Sequence, residues 1–214
     1  LNQKTVYVIT QKDQLWGWGY NSSGQLGLGH TSNVLEPTIL FGGKKVNKIY
    51  ATTGMGSSAF LQDENNLFYS CGRNNEGQLG INSTSTTKTW TRVPSLDPIK
   101  DHIIKFMCCG GDDNHMAVYF HAHWNGRRVL YVCGRNSNGQ LSQGHFLNLK
   151  TFMRVKYGPW DIKDFYVNQW NNTAEHKLMV IDQYDDLWTC GGQQGWNVTN
   201  EYLALNKLSR QTKL

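Results

Sequence analysis

The sequence contains no apolar run approaching the roughly 18 residues that a membrane-crossing helix needs, which excludes a helical membrane protein. None of its five cysteines is arranged as a Cys-x-x-Cys knuckle, so there is no zinc ribbon. It has no Gly-x-Ser-x-Gly nucleophile elbow and no dinucleotide fingerprint. The glycine-rich stretch Gly17 to Gly29 lacks the Lys-Ser/Thr ending of a phosphate-binding loop. Long blocks of one charge are missing too. Lys and Arg number 21 against 16 Asp and Glu, a net charge of +5, and the surplus is spread except for clusters at Lys44, Lys45, Lys48 and at Arg127, Arg128. A nucleic-acid binder concentrates such residues on one face, so nucleic acid is the less favoured partner. The chain opens Leu1-Asn2-Gln3-Lys4, with no initiator Met and no apolar signal core, and reads as processed or cut from something longer.

What is present is a chain of 214 residues with 12% aromatics and 22 glycines, enough to build a core and too aromatic for a disordered tail. Cys71, Cys133 and Cys190 each directly precede a glycine inside an apolar run, and Cys108-Cys109 precede Gly110. Such thiols read as small buried hydrophobes of a protein in a reducing, intracellular compartment. The sequons at Asn21, Asn82, Asn171 and Asn197 follow from an asparagine-rich composition.

The dominant feature is a repeat. Leu15-Trp-Gly-Trp-Gly-Tyr-Asn-Ser-Ser-Gly-Gln-Leu-Gly27 returns as Leu67 to Gly80, again as Leu130 to Leu141, and in eroded form as Leu187 to Trp196. The anchor glycines Gly19, Gly72, Gly134 and Gly191 are 53, 62 and 57 residues apart. Each copy is preceded by two short apolar runs and followed by a polar loop and a further short run, such as Glu36 to Leu40 or Thr91 to Val93. Runs of this length between Gly, Asn and Asp predict strands, about four per repeat, and no stretch of the repeats carries a helical stripe. The expected fold is all-β: a partial β-propeller of about four blades, each of four antiparallel strands. The repeats span 1–200, and the tail 201–214, outside them, reads as a short helix, a last strand or a docking extension. Within the motif, Gly19, Gly72, Gly134 and Gly191 permit close approach of backbones. Gly24, Gly77 and Gly139 serve turns, Gln25, Gln78 and Gln140 hydrogen-bond loop backbone, and Leu26, Leu79 and Leu141 return to the core.

These residues resemble the regulator-of-chromosome-condensation repeats, which build seven-bladed β-propellers. The family signature ends an apolar strand in Trp/Cys-Gly-x-Asn-x-x-Gly-Gln-Leu-Gly. Residues 15–29, 67–81 and 130–144 match it, with His115 and His176 in the family's histidine slot. Ser57 stands where another histidine is expected, and Ser142-Gln143 replaces a final glycine. WD and kelch repeats fit worse, because Trp160-Asp161 stands alone and the Gly-Gly pairs do not share one period. A seven-bladed ring would need roughly 400 residues at this spacing, so the chain reads as part of a ring. The resemblance implies protein partners, a small GTPase or a large complex among them, since the founding member is an exchange factor for the Ran GTPase and binds chromatin.

No catalytic residue, metal ligand, cofactor or small-molecule substrate is expected. His121 and His123 share a strand face but lack a third ligand, and Asp112-Asp113 and Asp185-Asp186 suit turns. The interval between Ala117 and Gly134 is 17 positions against 13 between Ala59 and Gly72, an excess of four. The extra residues form a hairpin tip around Asn125-Gly126. His123, Trp124, Arg127 and Arg128 there are the candidate partner contacts, being of the types that dominate interfaces. Trp160, after Gly158-Pro159, is a second exposed-anchor candidate, with core packing the favoured reading. The reading is a non-catalytic scaffold for protein–protein interaction within a larger protein or assembly. The alternatives are an exchange factor for a Ran-like GTPase and a regulatory propeller attached to an enzyme domain outside this chain.

Overall fold

The computed structural model describes residues 4–52, 57–110, 116–167, 178–191 and 204–208. Short apolar runs punctuated by turn residues form four antiparallel sheets, each a meander in chain order. The first holds β1 (Thr5–Ile9), β2 (Leu15–Gly19) and β3 (Val34–Ile39). The second holds β4 (Val46–Ala51), β5 (Ser58–Asp63), β6 (Phe68–Gly72) and β7 (Thr87–Arg92). β8 (Ile103–Gly110), β9 (Met116–Trp124), β10 (Arg127–Gly134) and β11 (Leu149–Arg154) make the third. β12 (Ile162–Val167), β13 (Leu178–Asp182), β14 (Leu187–Cys190) and the two-residue β15 (Asn206–Lys207) make the fourth. This is a partial β-propeller. Among the described residues the first blade has three strands, which match β5, β6 and β7, and the fourth blade's outer strand is only two residues long. Of the forms open to the segment after residue 200, Asn206–Lys207 adopts the last strand. A 3-10 segment, Pro94–His102, went unseen in the sequence, and it buries Leu96 and Ile99 between the second and third blades.

In each blade the strand inside the outermost one ends at, or one residue before, an anchor glycine. Gly19, Gly72, Gly134 and Gly191 have φ of 102°, 101°, 100° and 86°. In the first three blades the register toward the outer strand shifts at this glycine, a bulge that ends regular pairing and turns the chain outward. A Cβ on Gly72 would land directly on the Ser57 carbonyl oxygen, so both the space and the conformation demand glycine.

The loop that follows is held by one asparagine. In the second blade the Asn74 Nδ2 donates to the carbonyls of Ser83 (2.8 Å) and Ser85 (3.1 Å), while its Oδ1 accepts from Leu79 N (2.9 Å). Asn21 does the same with His30, Ser32 and Leu26, and Asn136 with His145, Leu147 and Leu141. All three asparagines are fully buried, which gives the Asn21 sequon a structural role. The glutamines act alike: Oε1 of Gln25, Gln78 and Gln140 accepts the N–H two residues earlier, while Leu26, Leu79 and Leu141 are completely buried.

This loop also joins neighbouring blades. The thiols of Cys71, Cys133 and Cys190 donate to the carbonyls of Gln25, Gln78 and Gln140, each in the preceding blade. At the outer edge Gly29 N donates to Lys88 O and Asn82 N to Lys150 O, both at 2.8 Å and both across to the next blade. A Cβ on Gly77 would lie 2.8 Å from the Leu149 carbonyl oxygen, so the strap passes too close to β11 for any side chain. Between the second and third blades, Tyr50, Phe60, Phe68, Phe106 and Phe152 form one aromatic cluster with centroids 4.6 to 6.4 Å apart.

Hairpin turns are closed by a side chain at the strand end. Asp182 Oδ1 accepts from Tyr184 N and Asp186 N, and its Oδ2 accepts from the Trp188 indole. Burial pushes this carboxyl up, but those three donors and the Lys207 charge outweigh it, and Asp182 sits below the ordinary carboxylate range. Its stabilisation is therefore complete above the unfolded-state value near 4 and is lost as pH falls through the lowered folded value. Thermal melts between about pH 6 and 2 should show a shallower acid decline for Asp182→Asn than for the parent; parallel declines would remove Asp182 as the cause. A second pair of variants tests the anchor. Gly72→Ala should cost about 3 kcal/mol or more in denaturant unfolding, through overlap with the Ser57 backbone. Gly29→Ala, with φ 86° but nothing near its Cβ, should cost only about 1 kcal/mol.

Candidate partner-binding surface

The third blade breaks the pattern of closed turns. In the other blades Thr10, Asp63 and Asp182 close the turn between the blade's hairpin strands by accepting backbone N–H bonds. In the third, the extra residues lengthen β9 and β10 into a projecting hairpin. Asn125 and Gly126, at φ 48° and 74°, close it as a two-residue turn of the kind their sequence signals. Trp124 lies opposite Arg127 and His123 opposite Arg128. His123, Trp124 and Arg127 are exposed. Arg128 is different: its backbone N and Nε both donate to Asp161 Oδ1, at 3.1 and 3.3 Å. It ties the hairpin to the loop entering the fourth blade and holds the surface in place rather than presenting a free charge.

Trp160 departs from the core packing expected of it, being 69% exposed. Two cations flank its ring, the Arg127 guanidinium 6.0 Å and the Arg154 guanidinium 5.9 Å from the centroid. The register explains their meeting. Arg154 pairs with Tyr131, and alternation along β10 puts residue 127 on the face of residue 131. Burial pushes the Tyr131 phenol up, partly offset by Arg154. Next in the chain, the Lys156 ammonium lies over the half-exposed Tyr157 ring at 5.2 Å. Val129, Gly158 and Pro159 line a shallow cleft together with Arg154, Lys156 and Trp160. Among the described residues no carboxylate pairs with Arg127, Arg154 or Lys156.

The segment carrying these groups is fixed by the third motif copy. Ser142 O accepts from Lys156 N and Tyr157 N, Ser142 Oγ donates to Tyr157 O at 2.6 Å, and Gln143 Nε2 donates to Arg154 O at 3.1 Å. Sequence reasoning found the hairpin but missed Arg154, because only the register of β11 brings it to Trp160. Among the described residues, no group of three His, Cys, Asp or Glu side chains stands together as a metal site. His115, His176 and Asp112-Asp113 fall outside the described residues. Asp185 and Asp186 are surface acids paired with Lys163 and Lys207. Burial pushes the Cys71 thiol well up and that of Cys190 up to about 12, so neither supplies a thiolate nucleophile.

Comparison with known proteins places this geometry. The model of the regulator of chromosome condensation (RCC1) repeat matches residues 12–61 and 66–115. The secretion-regulating guanine nucleotide exchange factor of Bos taurus is 39% identical over 132 residues, 61% of this chain and 26% of that protein. The probable E3 ubiquitin-protein ligase HERC4 of Homo sapiens is 32% identical over 154 residues, 72% of this chain and 14% of that protein. This chain thus spans about a quarter of the first of these relatives and less of the second. Among solved structures, yeast RCC1 (Prp20), crystallised bound to Kap60, superposes with a TM-score of 0.68 at 14% identity, over 98% of this chain and 47% of that one. With two matched repeats, and the same anchor and loop recurring in the third blade, the chain is built from regulator of chromosome condensation repeats.

Proposed function

We propose that this chain is a non-catalytic propeller scaffold that mediates protein–protein interaction within a larger protein or assembly. The observation that carries this reading is the exposed cluster of Trp124, Arg127, Arg154 and Trp160, held on blades that are locked to one another. Rigid frames with exposed aromatic and arginine anchors lose little entropy on binding, which suits recognition without moving parts. Buried thiols at three blade junctions fit a reducing compartment. The ligase named among the relatives also supports a role for the propeller beside a domain outside this chain.

A second reading, exchange of guanine nucleotide on a small GTPase, is favoured by the name of the bovine relative and by a yeast structure reported with its binding properties to Gsp1p and histones. Exchange requires an element that displaces bound nucleotide. The hairpin at Asn125-Gly126, four residues longer than its counterpart, is the longest such projection among the described residues.

Two measurements decide between these readings. Affinity capture with the full-length protein should recover at least one partner about tenfold less well after Trp124→Ala with Arg127→Ala, at unchanged melting temperature. Undiminished recovery of every partner would remove this surface as the contact. In a fluorescent-GDP release assay across a panel of small GTPases, the full-length protein should leave release at the intrinsic rate. Acceleration of any member would establish exchange and displace the scaffold reading.

A further inference from the structure

We infer that the Trp160 surface docks an acidic peptide segment of a partner protein, one carrying an aromatic or aliphatic side chain among its carboxylates; this rests on the scaffold reading and gives its partner a chemistry. Arg127 and Arg154 flank one indole, Lys156 lines the cleft beside it, and among the described residues no acid pairs with any of the three. The carboxylate next in the chain to Trp160, Asp161, is held by Arg128 from both backbone and side chain. Both guanidiniums lie near the indole ring and keep their N–H forks free, the geometry in which arginine accepts a carboxylate bidentately. Between them, the 69% exposed Trp160, the 41% exposed Tyr157 and the cleft over Pro159 offer apolar area that a carboxylate cannot satisfy. A ligand with both features fits; a purely acidic one leaves the rings in water.

Stacked bases with phosphates would also use arginine and tryptophan, but the surrounding charges argue against a nucleic acid. A strand needs a track of free cations. Elsewhere on the third and fourth blades, Lys105 is neutralised by Asp164 at 2.7 Å, Lys163 by Asp185 and Lys207 by Asp186. Arg127, Arg154 and Lys156 together form a patch about the size of a short peptide motif. That patch is preorganised, because the backbone of 154–157 is bonded to Ser142 and Gln143.

The experiment uses the full-length protein and a fluorescein-labelled, glutamate-rich peptide with one central phenylalanine, read by anisotropy. Binding should weaken about tenfold or more with Arg154→Glu and with Trp160→Ala, less with Arg154→Gln, and fall as salt rises. Replacing the peptide's phenylalanine by alanine should also weaken it. Melting temperatures should not move, since both side chains are exposed. Equal binding by parent and variants would overturn the inference. So would tighter, Trp160-dependent binding of an oligothymidylate of equal charge, which would make the site one for single-stranded nucleic acid. If the peptide fails to bind while partner recovery still depends on Trp124 and Arg127, the acidic-peptide inference falls and the scaffold reading stands. If peptide binding is lost with Arg154→Glu while partner recovery ignores Trp124 and Arg127, the site stands and the hairpin contact falls.

Discussion

Every blade junction rests on a loop whose backbone leaves the sheet yet remains buried. Buried N–H and carbonyl groups without partners are costly, and a long connection cannot pair all of them with itself. Here one asparagine side chain satisfies three backbone groups at offsets of five, nine and eleven residues, in three successive copies. Only an amide has two donors and an acceptor on so short a stem; aspartate would place a second acceptor against two carbonyls. With the loop so held, its glutamine carbonyl faces outward to meet the next blade's cysteine, and its far end reaches the next blade's outer strand. Loop order and blade stacking are one interaction.

The matched sequence repeats are out of phase with the blades. Residues 12–61 supply β2 and β3 of the first sheet and β4 and β5 of the second. Each sequence unit therefore stitches two blades covalently, and the asparagine loop lies inside the unit, at the seam. Neither blade of a pair can shift without breaking hydrogen bonds within a single repeat.

Local chemistry made much of this legible. The anchor glycines, the burial of Leu26, Leu79 and Leu141, the glutamine bonds and the Asn125-Gly126 turn each follow from a residue's own conformational or bonding needs. What escaped the sequence depends on partners far along the chain. Trp160 reads by type as core or as an exposed anchor, and only the fold shows that its neighbours, Arg127 and Arg154, come from other strands and leave its ring in solvent. Arg128 looks like a free surface cation until the chain brings Asp161 to it, 33 residues on. The 3-10 segment at Pro94–His102 escaped because it carries no 3.6-residue stripe.

The departures from the repeat converge on one place. Elsewhere the position of Ser142 is glycine, Gly27 or Gly80, with Trp90 or Phe152 of the next blade packed against it. At Ser142 the hydroxyl instead donates to Tyr157 O and accepts from Leu205 N, while the backbone takes the same left-handed form, φ 52°. The substitution exchanges an aromatic lid for hydrogen bonds that pin the 156–157 segment beneath Trp160. The four-residue lengthening of the β9–β10 hairpin delivers Trp124 and Arg127 to the same spot from the other side. A repeat under structural constraint alone has no reason to erode twice at one location. Here each change adds a support or a contact to a single exposed surface, and the blade's clamp, carried by Asn136 and Gln140, stays intact.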